Sequence, residues 1–360
     1  MTEVGLRVED LDTPALLVDL EALERNIRRM ADFFASVPAN LRPHVKTHKT
    51  PAIAHKQIAA GAQGITCAKL GEAEVMAAAG IDDILIANQV VGPAKIARLM
   101  GLARQISVTV AVDNPQNVAD LSAAATAAGA TVGVLVEVNV GMNRCGVAPG
   151  EAAVALAQQV ARSPGLRFRG VMGYEGHCVA IPDRREREEK ARAAMALLIA
   201  TKEMIEAAGL PVEVVSGGGT GTFDITGRYP GVTEVQAGSY VTMDTSYRRL
   251  DLGFECALTV LTTVISRPQP GLAIVDAGMK AITPEFGMPE PKGLPGARVV
   301  RLSEEHGKIE LADGGLSVGD KLELIPSHGC TTFNLHDRLY AVRAGRVEAV
   351  WPIAGRGQFR

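Results

Sequence analysis

Between about residues 41 and 236 the chain alternates short β-branched runs with alanine-rich stretches whose apolar positions recur at helical spacing. The strand-like runs cover 41–45, 64–67, 83–87, 107–112, 133–138, 168–173, 212–216 and 233–236. Helical period fills 51–60, 71–79, 94–103, 115–128, 150–162 and 183–208 between them, with something shorter after Gly221. Pro182-Asp183 is a helix start and Gly209 a helix stop, so the longest of these stretches has both ends marked. Eight strands with intervening helices predict an α/β fold, a (β/α)8 TIM-type barrel; a doubly wound open sheet is the competing layout. A further helical stretch, from residue 20 to about 34, precedes the first barrel strand.

Past residue 250 the helical period fades. Apolar runs at 257–265, 272–275, 321–325 and 339–342 are separated by Pro and Gly clusters, the pattern of a β-rich second domain. The segment 1–18 is expected to pair with it. The reading therefore places the barrel at 19–250 and the β-rich domain at 1–18 and 251–360.

Composition narrows the function. Hydrophobic residues make up 47% of the 360 but aromatics only 4%, which suits a soluble α/β enzyme. A formal net charge of -3 leaves no basic stripe for nucleic acid. No apolar run is long enough to span a bilayer, and the polar, acidic N-terminal stretch is unlike a signal peptide. Cys67, Cys145, Cys178, Cys256 and Cys330 are scattered and odd in number, which argues for a reducing cytoplasm rather than a disulfide framework.

In such a barrel ligands are held by the loops that follow the strands, and the unusual residues of this chain fall there. Lys46, in Arg42-Pro43-His44-Val45-Lys46-Thr47-His48-Lys49, follows the first strand. An amine at that rim can form a Schiff base with an aldehyde. Gly141-Met142-Asn143-Arg144-Cys145-Gly146 follows the fifth strand and Tyr174-Glu175-Gly176-His177 the sixth. The loop Ser216-Gly217-Gly218-Gly219-Thr220-Gly221-Thr222 follows the seventh and Gln236-Ala237-Gly238-Ser239-Tyr240 the eighth. Backbone N–H groups of the glycine-rich loop, unobstructed by side chains, make a phosphate cradle at the usual barrel phosphate position. A phosphate cradle and a Schiff-base lysine on one rim suggest pyridoxal 5′-phosphate (PLP), with Arg144 a fixed cation near the ring hydroxyl or a substrate carboxylate. In the second domain, Ser327-His328-Gly329-Cys330 would, on an extended segment, project His328 and Cys330 to one side, where they could grip one metal ion and leave coordination positions open. Glu304-Glu305-His306-Gly307 is a further polar cluster, equally explained as a loop.

Together these motifs resemble the fold-type III PLP enzymes, the alanine racemase-like group, and within it the D-threonine aldolase and D-serine dehydratase family. The resemblance runs from Asp12-Thr13-Pro14 over nearly the whole chain. Pro43 to Lys49 matches the family's PLP-lysine motif, and Gly141 to Arg144 is similar to its arginine loop, which contacts the cofactor's ring oxygen. Ser216 to Gly221 and Gln236 to Ser239 resemble its phosphate loops, while Glu305 to Gly307 and Pro326 to Asp337 resemble the aldolases' C-terminal domain. The expected cofactor-binding set is Lys46, Arg144, Tyr174, Gly218, Gly219, Thr220, Gln236, Gly238 and Ser239. The family also implies a homodimer and a divalent metal, here on His328 and Cys330, with zinc favoured by the soft Cys330 over manganese or magnesium. Two features depart from the bacterial aldolases: His-x-Cys, the pattern of eukaryotic-type D-serine dehydratases, replaces His-x-Asp, and Glu175 stands where they tend to have His.

The resemblance thus implies a lyase acting on a D-amino acid with a β-hydroxyl, the metal polarising that hydroxyl. Retro-aldol cleavage of a D-threonine-type substrate would give glycine and an aldehyde, with Glu175 or His177 as the hydroxyl base. The alternative is dehydration of D-serine or 3-hydroxy-D-aspartate to a 2-oxo acid and ammonia, with Lys46 removing the Cα proton. A non-catalytic PLP-binding protein would lack the second domain. A racemase needs a second-domain Tyr, and the only one beyond the barrel is Tyr340, in an apparent strand.

Overall fold

The computed structural model describes residues 3–312 and 315–360. The chain forms two compact units, one of Met30–Lys46, Ile53–Gly238 and Gly357–Arg360, the other of Met1–Arg29, Thr47–Ala52 and Ser239–Arg356. They interleave along the chain more than single cuts after residues 18 and 250 would give. Asn26 shows why the early helix joins the second unit: its side chain donates to Val241 O and Glu255 O and accepts from Glu255 N.

In chain order the elements begin with β1 (Ala15–Asp19), α1 (Leu20–Ala35), β2 (Asn40–Leu41), α2 (Pro51–Ala59), β3 (Ile65–Cys67), α3 (Leu70–Ala78) and β4 (Asp83–Gln89). They continue with α4 (Pro93–Ala103), β5 (Ser107–Val112), α5 (Pro115–Ala128), β6 (Val132–Glu137), α6 (Glu151–Arg162) and β7 (Leu166–Gly173). Then come α7 (Arg184–Ala207), β8 (Val214–Gly217), the short α8 (Phe223–Thr226) and β9 (Glu234–Val235). The remainder comprises α9 (Thr245–Arg248), β10 (Leu258–Gln269), β11 (Leu272–Val275), β12 (Glu290–Pro291), β13 (Arg298–Leu302) and β14 (Gly307–Glu310). It ends with β15 (Lys321–Ile325), α10 (Gly329–Phe333), β16 (Arg338–Arg343) and β17 (Arg346–Pro352).

The first unit is the (β/α)8 barrel. Its parallel strands run in the order β2-β9-β8-β7-β6-β5-β4-β3, and a parallel bridge between His44 and Thr66 joins the two ends. At that seam Gln63 N donates to Leu41 O and Thr66 N to Pro43 O. Apolar residues point inward from the strands, where Leu85, Ala111, Leu135 and Met172 pack together. The helices bury one stripe each, as in α6 with Ala153, Leu156, Ala157 and Val160.

The second unit is β-rich, with strand order β13-β14-β11-β10-β1-β16-β17 and β15 paired to β10 and β12. The N-terminal strand β1 lies antiparallel to β10 and parallel to β16, so the early segment does pair with the late one. Leu11, Ala15, Leu17, Leu261, Tyr340 and Val347 form its core. Strands β12, β13, β14 and β17 escaped the sequence reading. In β13, Arg-Val-Val-Arg-Leu mixes exposed charge with buried apolar positions and carries a register shift, which blurs the alternation. Glu304 to His306 make the turn between β13 and β14, with Ser303 N donating to His306 O. The five cysteines are free, and no helix among the described residues is long and apolar enough to cross a membrane.

One barrel strand needs outside help. β2 is two residues long, and the residue after it, Arg42, reaches to both sides. Its guanidinium donates to Glu234 Oε2 at 2.6 Å and to both carboxylate oxygens of Asp83, at 2.9 and 3.1 Å. The Arg42 and Glu234 side chains are 7% and 4% exposed, so neither charge has water as a substitute partner. Burial opposes the Arg42 charge, but Glu234 and Asp83 outweigh it and raise its pKa. Removing one member of such a pair strands the other. Arg42→Met should therefore lower stability by about 3–5 kcal/mol, seen as an earlier denaturation midpoint. Adding Glu234→Gln should return part of that loss; two losses that merely add would show the pair to be uncoupled.

Candidate active site

Lys46 occupies a single 3-10 turn, Val45–Thr47, directly after β2. The turn is pinned at both ends by histidines. His44 N donates to Ala237 O at 3.2 Å, while the fully buried His48 accepts Thr50 N on Nδ1 at 3.1 Å and Thr50 Oγ1 on its carbonyl at 2.6 Å. The His44 imidazole also meets the turn, with Lys46 N 3.5 Å from its Nδ1, and the Lys46 side chain is half-buried. Its Nζ lies 5.9 Å from the centroid of the Tyr174 ring, and the Arg144 guanidinium lies 5.6 Å from the same centroid. Two cations from loops far apart in sequence thus converge on one aromatic ring at the barrel rim.

The arginine loop is built by Asn139. Its Oδ1 accepts the N–H groups of Gly141 and Asn143, both at 3.1 Å, and its Nδ2 donates to Asn143 Oδ1 at 2.9 Å. The loop returns through Gly146, whose φ is +102° and whose Cβ, were there one, would stand 2.6 Å from Asn139 N. Gly146 N is anchored on Asp113 Oδ2 at 3.0 Å. Beneath Arg144 lies Glu137, 5% exposed and accepting Gln89 Nε2 at 2.5 Å. Burial pushes the Glu137 carboxyl above its ordinary range, against the pull of Gln89 and Arg144. None of Gln89, Asp113, Glu137 or Asn139 was singled out from the sequence; each is an ordinary polar residue whose role shows only in its direction.

The glycine-rich loop is a tight backbone surface. A Cβ on Gly221 would fall 1.8 Å from Val179 O, one on Gly217 2.7 Å from Gly173 O, and one on Gly219 3.3 Å from the Tyr174 ring. Gly218 has φ +74°, which favours glycine. Gly219 N donates to Thr222 Oγ1 and Thr222 N returns to Gly219 O. The N–H groups of Gly221 and Gly238 have no acceptor among the described residues. Thr220 is buried within this loop, and Ser239 opens the 3-10 turn Ser239–Val241. Gln236 is half-buried, and its side-chain amide donates to Ser216 Oγ at 2.8 Å, which in turn donates to Glu234.

The two candidate bases have opposite surroundings. Glu175 is 0% exposed, and its carboxylate accepts Gly218 N, Thr222 Oγ1 and Thr226 Oγ1. It faces the inside of the glycine-rich loop. His177 is exposed, its ring packed over Gly141 of the arginine loop, within about 3 Å of where a Cβ would stand.

In the β-rich unit His328 and Cys330 are brought together, though not on an extended segment as the sequence suggested. His328 is the N-cap of α10 and Cys330 lies in that helix's first turn. Five residues give too little periodicity for a helix to be legible there. His328 Nδ1 is hydrogen-bonded to Glu285 Oε2 at 2.8 Å, Thr331 Oγ1 donates to the same oxygen, and Phe286 lies against the imidazole at a centroid separation of 4.7 Å. Cys330 Sγ lies 3.5 Å from Thr47 Oγ1. Burial disfavours the imidazolium, but Cys330 and Glu285 outweigh it and raise the His328 pKa to about 9. Asp244 fixes the start of α10 by accepting Gly329 N at 3.0 Å while capping α9 through Tyr247 N. No group of three or more His, Cys, Asp or Glu side chains among the described residues is placed to hold a metal, so His328 and Cys330 stand as a pair. Tyr340 lies in β16 with its hydroxyl donating to Glu3 at 2.8 Å.

Comparison with known proteins agrees with this architecture. The family model for the alanine racemase N-terminal domain matches residues 18–246, and that for a serine dehydratase domain matches 257–342. A D-threonine aldolase of Arthrobacter sp. is 43% identical over 353 residues, covering 96% of this chain and 93% of that protein. A 3-hydroxy-D-aspartate aldolase of Paracoccus denitrificans (strain Pd 1222) is 42% identical, covering 98% of this chain and 94% of that one. The crystal structure of D-threonine aldolase from Filomicrobium marinum matches with a TM-score of 0.97 at 43% identity, covering 99% of both chains. The chain therefore belongs to the fold-type III, alanine racemase-like group and, within it, to the D-threonine aldolase and D-serine dehydratase family.

Proposed function

We propose that this protein is a PLP- and divalent-metal-dependent lyase that cleaves D-β-hydroxy amino acids of the D-threonine type to glycine and an aldehyde. The observation that carries the reading is the convergence of Lys46 and Arg144 on Tyr174, on the rim that also carries a glycine loop with no room for side chains. That arrangement fits PLP: an amine for its aldehyde, a cation for its ring oxygen and backbone N–H groups for its phosphate. The names of the relatives, two of them aldolases at 42–43% identity, support carbon–carbon cleavage.

When bound, PLP supplies an electron sink for the bond broken at Cα, and a divalent cation supplies Lewis acidity toward an alcohol oxygen. The chain's own residues do the rest. Lys46 holds the cofactor and is the base available to a Cα proton. Arg144, backed by buried Glu137, keeps a fixed positive charge at the ring. His177, exposed and with its ring packed over Gly141, is the hydroxyl base. His328 and Cys330 are the metal ligands, and Glu285 on Nδ1 orients the imidazole. An imidazole with a thiolate suits zinc better than manganese or magnesium. We place the active form as a homodimer in the cytoplasm, by analogy with the family and from the scattered free cysteines.

Dehydration of D-serine or 3-hydroxy-D-aspartate is the second reading, favoured by the His-x-Cys pair and by the serine dehydratase domain match. Purified protein incubated with D-threonine, D-serine and 3-hydroxy-D-aspartate should release glycine and an aldehyde. A 2-oxo acid and ammonia would instead select dehydration, and no turnover of any D-β-hydroxy amino acid would defeat both readings. Chelation should abolish turnover and Zn²⁺ or Mn²⁺ restore it; full activity without metal would remove His328 and Cys330 from the mechanism. The wild type should be yellow and capture PLP covalently on borohydride treatment. Lys46→Ala should lose both colour and capture, and retained capture would place the cofactor on another lysine.

A further inference from the structure

We propose that Glu175 is a positioning residue for the cofactor phosphate: its buried carboxylate holds the glycine loop in the shape that presents backbone N–H groups outward. This rests on the PLP reading above. Glu175 is 0% exposed, two residues past the end of β7. It ties three separate points of the next rim segment: Gly218 N at 3.0 Å, Thr222 Oγ1 at 2.7 Å and Thr226 Oγ1 at 2.6 Å. Between those points runs the loop in which Gly221 is pressed against the Val179 carbonyl. The following helix, α8, has four residues, too few for backbone hydrogen bonds to sustain it alone. A carboxylate, which only accepts, satisfies all three donors at once. Gly218 N is thereby committed to Glu175, while Gly221 N keeps no partner among the described residues.

The chemistry separates this role from two others. Were Glu175 a general base, it would have to meet the substrate hydroxyl, yet both of its oxygens are engaged away from solvent. Were its negative charge merely tolerated near the phosphate, neutralising it would tighten PLP. Positioning predicts the reverse. In Glu175→Gln the amide can keep the two threonine hydroxyls on its oxygen only by turning its NH₂ toward the Gly218 N–H, donor against donor.

The test compares PLP with pyridoxal, which has the same aldehyde and no phosphate, each scored by borohydride capture on Lys46 across a concentration series. Wild type should prefer PLP strongly. Glu175→Gln should reduce that preference on the order of 10-fold, the expected effect of unsettling a hydrogen bond to a charged group. Pyridoxal capture should change much less. Thr226→Val removes one donor and leaves the carboxylate in place; it should lower the preference in the same direction by a smaller factor, and it carries the test if Glu175→Gln does not fold. A PLP preference equal to or above wild type in these variants overturns the proposal, and if retro-aldol rate is lost at the same time Glu175 is the proton carrier instead. A wild type that captures neither aldehyde on Lys46 overturns the PLP reading itself, whereas capture without any phosphate preference overturns only the cradle.

Discussion

Closure of the barrel at β2 is the constraint on which the rest of this site depends. The strand that delivers Lys46 has only two residues in ladder, so its place is set by a buried guanidinium between two carboxylates rather than by backbone pairing alone. Ion pairs at a surface contribute little, but a pair this enclosed is intolerant of losing either member. The same network continues from Glu234 to Ser216 Oγ and on to the Gln236 amide, so it spans from the lysine strand to the loop after the last strand. Polar side chains thereby link strands on both sides of the seam where the sheet must shut.

The rim follows a similar logic on a smaller scale. Loops are held by polar side chains whose bonds go to backbone: Asn139 for the arginine loop, His48 for the segment just after the lysine turn and, in the β-rich unit, Asp244 for the start of α10. Loops without a ladder of their own carry unpaired backbone groups, and a single buried acceptor can satisfy several of them. This fixes the positions from which Lys46, Arg144 and His328 project, without spending those side chains on structure.

What the sequence made legible follows from range. The barrel strands read clearly because β-branched runs and helical period are local signals, and Lys46 stood out because its loop position follows from that register. Arg42 and Glu234, 192 residues apart, gave no such signal, and neither did Glu285, which meets His328 across 43 residues. Residue type suggested that Glu175 had chemistry to do, but type does not reveal which way a side chain points. The extended reading of His328-Gly329-Cys330 missed a helix of five residues because one turn leaves no period to detect. β13 was obscured because Arg298 and Arg301, three residues apart on an edge of the sheet, break the strict alternation of apolar and polar positions.

The placement of β1 has a consequence for how the chain is made. Its registers pair Leu17 with Thr259 on one side and with Tyr340 on the other. A ribosome therefore releases this strand long before either neighbour exists, while the barrel strands, each beside one made shortly before or after it, can assemble as they emerge. The sheet of the β-rich unit cannot be completed until almost the whole polypeptide has left the exit tunnel. The apolar face of Ala15, Leu17 and Leu11 is meanwhile exposed to solvent or to a chaperone. Synthesis order thus makes the first strand produced one of the last to find its place.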